Sequence, residues 1–388
     1  MELNEELTTS IDRNLVSVGV FIDLKKAFDT IDHSILLRKL EYYGVRGVAL
    51  KWIHHYLKNR QQFVCYNNFK SDYKYIKCGV PQGSIVGPTL FLVYINDIVN
   101  ISKKLKFILF ADDTNIFYTG KTSQDVFHVL NCELLILSDW FKLNKLSLNI
   151  SKTNYMVFKN CKNKFDGSIS IDGVKVQRVN STKFLGVIID ENLNWCEHIR
   201  NVELKVSRQL GILHKSGRVL DSKCLHTLYC SLILPQLSYC CEIWGNNYMS
   251  RLGNLVKLQK RAMRIIDSSD YRAHTNPIFI KYKRLKMVDI INLKTLVIVY
   301  KAKHNLLPAN LQRLFHSVND SHKYLTRSST RGNFSKNYVR SALKSRCITF
   351  KGVQLWNDLQ LNVNDIVSVR AFKNTVKEYF LMNYFNQN

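Results

Sequence analysis

The sequence predicts an α+β fold, an antiparallel sheet with packed helices, followed by a mostly helical remainder. Short β-branched and aromatic runs occur at residues 16–22 and on both sides of the acidic pair Asp112-Asp113. Apolar residues recur at helical spacing from Asp125 to Leu143, which predicts a helix packed on the sheet. After Trp195 strand signals become rare, and helical patterns dominate from His198 to Lys303.

The elements between these landmarks have recognisable boundaries. Residues 34–43 form an amphipathic helical pattern, and Thr30 or Asp32 is well placed to cap it. We therefore expect Asp29 and Asp32 to cap this helix rather than to bind a metal. By the same reasoning, Asn96-Asp97 is expected to end the apolar helix that precedes it.

Turn residues define the later part of the chain. Residues 169–176 alternate about Asp172-Gly173, a two-residue hairpin signal that leads into a further strand. The run Leu306-Leu-Pro308 marks a break, and the polar stretch 317–335 is expected to be rich in loops. We find no internal repeats.

Asp112 and Asp113 form the most informative local feature. They stand at the turn between two apolar runs, where adjacent carboxylates repel each other unless a cation lies between them. An ordinary acidic hairpin turn is the alternative. A third carboxylate, Asp23, ends the run 16–22, and three carboxylates on neighbouring strand ends can hold two Mg²⁺ ions for phosphoryl or nucleotidyl transfer.

A glycine- and proline-rich loop lies between these carboxylates in the sequence. It begins at Gly79 and contains Gly87-Pro88, and its backbone can approach a ligand closely. Pro88 suits the first turn of the apolar helix that follows. An ordinary turn before a core helix is the alternative interpretation.

Five stretches in this order resemble the motifs of reverse transcriptases, and most closely those of the non-LTR retrotransposon (LINE-type, jockey-like) family. The stretches are residues 21–30 for motif A, 79–84 with Gly87-Pro88 for motif B, 110–114 for motif C, 144–153 for motif D and 183–187 for motif E. Residues 239–245 and 352–357 also look like the tail of jockey-like elements. The resemblance covers nearly the whole chain.

The resemblance implies an RNA-directed DNA polymerase with a palm of the predicted α+β type. Asp23, Asp112 and Asp113 would be the catalytic carboxylates and the ligands of two Mg²⁺ ions, with Mn²⁺ as a substitute. The partners implied are an RNA template, a DNA primer and deoxynucleoside triphosphates, whose α-phosphate the primer 3′-hydroxyl attacks.

Further residues take roles by similarity. Phe28 occupies the steric-gate position, where its ring would exclude a ribose 2′-hydroxyl, and Gln82 and Gly83 would lie along the nucleotide and template. Lys152 is a candidate for orienting pyrophosphate, with a solvated surface lysine as the alternative. The primer grip would comprise Phe184, Leu185 and Gly186.

The chain departs from the family at its beginning, because only 22 residues precede Asp23. We expect that the fingers and the endonuclease of a complete element are missing, and that this upstream segment is required for full activity. The expected parts are a palm at 1–190, a helical thumb or connection at 191–305 and a basic C-terminal region at 306–388.

Charge supports a nucleic-acid partner. The formal net charge is +26, and residues 281–351 carry 16 Lys and Arg against two acidic residues. Aromatic residues interleave with this charge and are candidates for stacking on bases: Tyr282, Tyr300, Tyr324, Phe334, Tyr338 and Phe350.

Other signals concern location and metal. We predict no signal peptide, no membrane-spanning segment and no disulfide framework, so we expect an intracellular protein in a nuclear or cytoplasmic ribonucleoprotein. A possible zinc site is formed by Cys224, His226 and Cys230. They lie in an apolar helical stretch, which disfavours zinc binding but leaves it as an alternative.

Two rival functions stay open at this point. A different two-metal enzyme such as a nuclease would use the same carboxylates, but it has no need of the Pro81-Gln-Gly83 loop or of Phe28. A non-catalytic nucleic-acid-binding remnant would keep the basic region and tolerate loss of Asp112.

Overall fold

The protein is described from a computed structural model covering residues 1–159, 167–318, 332–336, 338–361, 363 and 366–385. The chain divides into two compact units, residues 14–181 on the one hand and residues 1–13 with 182–388 on the other. Most of the polar stretch predicted at 317–335 lies outside the described residues. Within the described ranges, no helix combines the length and apolarity needed to cross a membrane.

The unit 14–181 is built on a five-stranded sheet. Its strands are β1 (Val16–Ile22), β6 (Lys106–Phe110), β7 (Asp113–Gly120), β8 (Asn154–Phe158) and β11 (Gln177–Arg178), in the spatial order β11-β8-β1-β7-β6. All pairs are antiparallel except β11 with β8. The predicted α+β class with an antiparallel sheet is therefore found in this unit.

In the described part of this unit, four α-helices accompany the sheet. They are α2 (His33–Tyr42), α3 (Gly47–Leu57), α4 (Val86–Ile95) and α5 (Ser123–Leu143). Short ladders complete the unit: β2 (Gln61–Gln62) with β5 (Lys74–Tyr75), β3 (Cys65–Tyr66) with β4 (Phe69–Lys70), and β9 (Ser170–Ile171) with β10 (Val174–Lys175). The predictions of α2, α5, the hairpin about Asp172-Gly173 and Pro88 in the first turn of α4 are confirmed.

The two faces of β1 have different environments. Val18 and Val20 point to one face and are completely buried in an apolar cluster with residues of α2, α4 and α5. Ser17, Gly19 and Phe21 alternate to the other face. An added Cβ at Gly19 would lie 2.5 Å from the ring of Phe117 on β7, so glycine leaves room for that ring.

The second unit is mainly helical, as predicted after Trp195. Hairpin strands β12 (Ser181–Phe184) and β13 (Val187–Asp190) precede α6 (Cys196–Ser216), α7 (Ser222–Leu228), α8 (Leu234–Ser238), α9 (Cys241–Trp244), α10 (Met249–Asp267), α11 (Asn276–Lys281) and α12 (Met287–Lys303). The predicted break follows, because α12 ends at Lys303 and Pro308 precedes α13 (Ala309–Gln312). Helices α14 (Val353–Asn357) and α15 (Val369–Phe385) complete the unit.

Helix α1 (Glu2–Asp12) is joined to the C-terminal part of this unit by a buried ion pair. The carboxylate of Glu5 lies 2.6 Å from the Lys344 ammonium, and their side chains are 1% and 12% exposed. The same carboxylate accepts hydrogen bonds from the backbone N–H and the hydroxyl of Thr349. Asp12 accepts backbone hydrogen bonds from Arg340 and Ser341, so α1 is fixed at both ends.

We predict that Lys344→Met lowers the free energy of unfolding by about 3–5 kcal/mol, because it leaves the Glu5 carboxylate buried without its cation. Lys281→Met is the control, since Lys281 pairs with Asp267 at the same 2.6 Å but its side chain is 64% exposed. That change should cost about 0–1 kcal/mol. Urea unfolding followed by circular dichroism measures both, and equal losses would contradict the role assigned to the buried pair.

Candidate active site

The strand register places the three predicted carboxylates at one end of the sheet. Ile22, the last residue of β1, pairs with Thr114 of β7, and Asp23 and Asp113 are the next residues on the two strands. Phe110 of β6 pairs with Asp113, so Ala111 and Asp112 form a two-residue turn, with Ala111 at a φ of 51°. This confirms the predicted hairpin, with Asp112 in its turn and Asp113 as the first residue of β7. By alternation, Asp23 and Asp113 lie on the face opposite the helix-packed one.

Residues 147–153 hold the backbone of Asp23 in place. The Lys25 N–H donates to the carbonyl of Ser147 at 2.8 Å, and the Asn149 N–H donates to the carbonyl of Asp23 at 2.9 Å. The Asp23 N–H in turn donates to the hydroxyl of Thr153 at 3.3 Å. The segment resembling motif D therefore runs beside the end of β1 like a short extra strand.

The carboxylate of Asp23 is oriented by Asn149. The Asn149 side-chain amide donates to Asp23 Oδ2 at 2.8 Å, and Ser151 Oγ donates to the amide oxygen of Asn149 at 2.8 Å. The sequence reasoning missed this role, because it considered only Lys152 in the same stretch. Lys152 itself is exposed, and its backbone N–H donates to the Asn149 carbonyl.

The carboxylates fit a magnesium site in donor type and in the sheet end that they share. Asp23 is half-buried, and Asp112 and Asp113 are exposed. Oxygen ligands and open positions for water or phosphate are what Mg²⁺ prefers. Across the described ranges, however, no three His, Cys, Asp or Glu side chains are grouped closely enough to hold a metal ion.

The loop resembling motif B is attached to the loop after Asp23. The Gly79 N–H donates to the carbonyl of Ile31 at 2.7 Å, and the Val80 N–H donates to the carbonyl of Phe28 at 2.8 Å. Gln82 Nε2 donates to Asp29 Oδ1 at 3.0 Å. These bonds join the two loops into one surface, and Gln82 and Gly83 are exposed on it.

Phe28 is half-buried and packs against the ring of Phe91 in α4, with 4.7 Å between ring centroids. One side of the ring therefore contributes to the apolar cluster under the sheet.

The two nearby acidic residues differ in role. Asp32 caps α2, accepting from the N–H groups of Ser34 and Ile35, so the capping prediction is confirmed for this residue. The Lys145 ammonium, 2.6 Å from Asp32 Oδ2, holds the pKa of that carboxyl well below its usual range. The prediction was wrong for Asp29, because its carboxylate accepts from Gln82 instead of capping the helix.

A cation and a phenol on the helices below fix the same region. Lys39 of α2 pairs with Asp97 at 2.6 Å, just after α4 ends at Ile95, as expected for Asn96-Asp97. Burial lowers the pKa of Lys39. Tyr94 donates its hydroxyl proton to the carbonyl of Asn144 at 2.6 Å, and burial raises its pKa to about 12, which keeps it a donor.

The predicted primer-grip residues lie in the other unit, at the turn between β12 and β13. Leu185 and Gly186 form this turn with φ values of 46° and 83°, and Phe184 precedes it. The hydroxyl of Tyr239 donates to the carbonyl of Leu185 at 2.8 Å. Tyr239 therefore fixes the tip of the hairpin.

The structure gives no support for the zinc alternative, because His226 Nε2 accepts a hydrogen bond from Arg284 at 2.8 Å and no metal cluster occurs in the described part of the chain.

Among the aromatic candidates for base stacking, Tyr300 and Phe334 are core residues, since they are buried in an apolar cluster. Tyr338 is 88% exposed, and Tyr324 lies outside the described residues.

Comparison with known proteins identifies the class. Residues 6–189 match the family model described as reverse transcriptase (RNA-dependent DNA polymerase). This region therefore belongs to the reverse transcriptase family, and it contains all five motifs that the sequence suggested.

The particular relatives are polymerases of insect non-LTR retrotransposons. The chain is 25% identical over 331 residues to a probable RNA-directed DNA polymerase from transposon X-element of Drosophila melanogaster, covering 82% of this chain and 35% of that protein. It is 27% identical over 308 residues to the RNA-directed DNA polymerase from mobile element jockey of the same species, covering 76% and 33%. The chain thus spans about a third of the length of these relatives.

Among solved structures, a telomerase from Candida tropicalis is similar at 12% identity and a TM-score of 0.37, covering 77% of this chain and 53% of that one. A score this low supports no statement about the fold. The family assignment depends on the sequence matches alone.

We predict that Gly79→Ala separates the two loops of the site. Gly79 has a φ of 88°, and an added Cβ would lie 2.6 Å from the backbone carbonyl oxygen of Asp29. Gly44→Ala is the matched control, because Gly44 has a φ of 92° but nothing within 4 Å of the added atom.

Backbone strain alone should cost Gly44→Ala about 1–2 kcal/mol of unfolding free energy. Gly79→Ala should lower the free energy of unfolding by about a further 1–3 kcal/mol, because the Asp29 backbone has to move. Denaturant titration of both variants measures the difference, and equal losses would show that the two loops are not closely packed.

Proposed function

We propose that this chain is the polymerase part of a non-LTR retrotransposon RNA-directed DNA polymerase, which extends a DNA primer on an RNA template with deoxynucleoside triphosphates. The observation that carries the proposal is the register of β1 with β7, which makes Asp23 and Asp113 neighbours beside the turn at Asp112. This arrangement occurs within the residues that match the reverse transcriptase family.

Asp23, Asp112 and Asp113 would hold two Mg²⁺ ions, or Mn²⁺ in their place, and these ions supply activation of the primer 3′-hydroxyl and neutralisation of the leaving pyrophosphate. The chain's own contribution is orientation. Asn149 directs the Asp23 carboxylate through its amide, and the bonds from residues 147–153 keep the end of β1 from moving.

The joined loops would receive the nucleotide. Gln82 and Gly83 are exposed beside Asp29 and would lie along the base and template, and Phe28 would place its free edge under the sugar. Lys152, exposed and three residues after Asn149, is a candidate cation for orienting pyrophosphate. Phe184, Leu185 and Gly186, on the hairpin that Tyr239 fixes, would contact the primer.

The basic region 281–351 would contribute nucleic-acid affinity. Its phosphate contacts release counterions, so binding is expected to weaken steeply as salt rises. Part of this charge is used internally, since Lys344 pairs with Glu5.

We predict that Asp23→Asn and Asp112→Asn each reduce primer extension to less than about a tenth of the parent rate, because losing a metal ligand removes transition-state stabilisation. RNA binding should stay nearly unchanged. The assay uses an RNA template, a DNA primer and Mg²⁺, with this chain or a longer polypeptide that includes it.

Asp139→Asn is the control for this experiment. Asp139 is an exposed acidic residue of α5, and its only ion pair recorded in the described part of the chain is a 3.8 Å contact with Lys142. The control should keep full activity. Substantial extension by the Asp112 variant would remove the basis of the proposed chemistry.

We predict that Phe28→Val weakens discrimination against ribonucleotides on the order of ten-fold, because the smaller side chain no longer has the ring that would meet the 2′-hydroxyl. The measurement is the ratio of kcat/KM for a deoxynucleotide to kcat/KM for the matching ribonucleotide. Phe107→Val is the control, since Phe107 is another partly buried ring on the same apolar cluster. If both variants keep the parent ratio, Phe28 serves only the packing with Phe91.

A further inference from the structure

Residues 60–77 form a small isolated ribbon in the unit 14–181. Strands β2 and β5 pair through Gln61 and Tyr75, and strands β3 and β4 pair through Tyr66 and Phe69. The tip is Asn67-Asn68, with φ values of 46° and 66°, which suits a tight hairpin turn. In the described structure, each of these two-stranded ladders pairs only within the ribbon, so the ribbon is not part of a larger sheet.

The ribbon exposes an unusual number of aromatic rings. Tyr66 and Phe69 are 75% and 82% exposed, and Tyr75 and Tyr73 are 66% and 62% exposed. Tyr66 and Phe69 are direct cross-strand partners, so their side chains leave the same face of the ribbon. Rings this exposed contribute little to a core, and contiguous exposed aromatics mark a binding surface.

The charge of the ribbon selects the kind of partner. The ribbon contains four basic residues, Arg60, Lys70, Lys74 and Lys77, and one acidic residue, Asp72. The Lys70 ammonium lies 5.3 Å from the centroid of the Phe63 ring, and Phe63 contacts Tyr73 edge-on at 5.0 Å. Cations placed among exposed rings suit a chain that carries both phosphates and stackable bases.

A cavity with a mainly basic lining lies between the two ends of the ribbon and the loop that carries Gln82. It has a volume of about 770 Å³, and its lining includes Lys26, Arg60, Lys77 and Gln82. Asp29 is the acidic residue of the lining, and its carboxylate already accepts from Gln82. The lining between the ribbon and the exposed Gln82 therefore carries more basic than acidic side chains.

We propose that the 60–77 ribbon is a binding platform for an unpaired nucleic-acid strand, with bases stacked on its rings and phosphates at its cations and at the cavity. This deepens the proposed function and rests on it only in naming the strand as the template approaching Gln82. A duplex keeps its base faces stacked internally and is not expected to use the rings.

The test is binding of a single-stranded oligouridine of about 12 nucleotides, the length scale of single-strand sites, to the 388-residue chain. Fluorescence anisotropy is measured without metal ions, nucleotides or primer, so the result is independent of catalysis. The variant Tyr66→Ala with Phe69→Ala should bind at least about ten-fold more weakly, the scale of one lost base stack. The swapped variant Tyr66→Phe with Phe69→Tyr keeps both rings and should bind like the parent.

Two controls make the outcome decisive. Tyr42→Ala with Tyr271→Ala removes two rings of similar exposure outside the ribbon and should not change the affinity. Binding of an RNA duplex should also be unaffected by loss of Tyr66 and Phe69. Unchanged oligouridine binding, or equal losses for single strand and duplex, would overturn the proposal.

The cations are tested through the salt dependence of the same binding. Lys70→Gln with Lys74→Gln should make the slope of log affinity against log salt shallower by about 0.7 per lost phosphate contact. Lys51→Gln with Lys121→Gln removes two exposed lysines elsewhere in the unit and should leave the slope unchanged. If the ribbon variant keeps the parent slope, the lysines do not contact phosphates and the proposal is wrong. If removing Tyr66 and Phe69 alters the oligomeric state and leaves RNA binding unchanged, the surface binds a second protein chain, which also overturns the proposal.

Discussion

The antiparallel register of β1 with β7 is the constraint on which the candidate site depends. Because side chains alternate along a strand, a slip of one residue would turn the Asp23 carboxylate to the helix-packed face and separate it from Asp113. Burial fixes the register: Val18 and Val20 have to enter the apolar cluster, and Gly19 has to lie under the Phe117 ring. The packing of the sheet thus determines where the carboxylates lie.

Hydrogen bonds from distant segments then give this sheet end its shape. Residues 147–153 hold Asp23 by backbone and side chain, and the loop at Gly79 holds the backbone of Phe28 and Ile31. Both segments are far from this region in sequence, since the loop at Gly79 follows α3 and the 60–77 ribbon, and residues 147–153 follow α5. Asp23 is thus hydrogen-bonded to residues 147–153, and the loop that carries Phe28 is hydrogen-bonded to the loop that carries Gln82.

The elements and the carboxylates were predictable from sequence, but the contacts that orient them were not. Strand β1, helix α5 and the hairpin at Asp112-Asp113 follow from periodicity and turn chemistry, which are local. Asn149 and Asp29 were missed or misassigned, because an amide–carboxylate bond depends on which distant segments meet. The exposed rings of the 60–77 ribbon gave no distinct signal either, since aromatic residues in strand-like runs are usually buried. An amide three residues before a motif D lysine is the clue that would have pointed to Asn149.

The most direct test of the proposed site is Mn²⁺ binding followed by electron paramagnetic resonance of the free ion. Titration of the 388-residue chain should reveal binding that Asp112→Asn weakens at least about ten-fold, because a carboxylate ligand is lost. Asp139→Asn should leave the titration unchanged. Equal Mn²⁺ binding by the parent and by a variant lacking both Asp23 and Asp112 carboxylates would contradict a metal site at this end of the sheet.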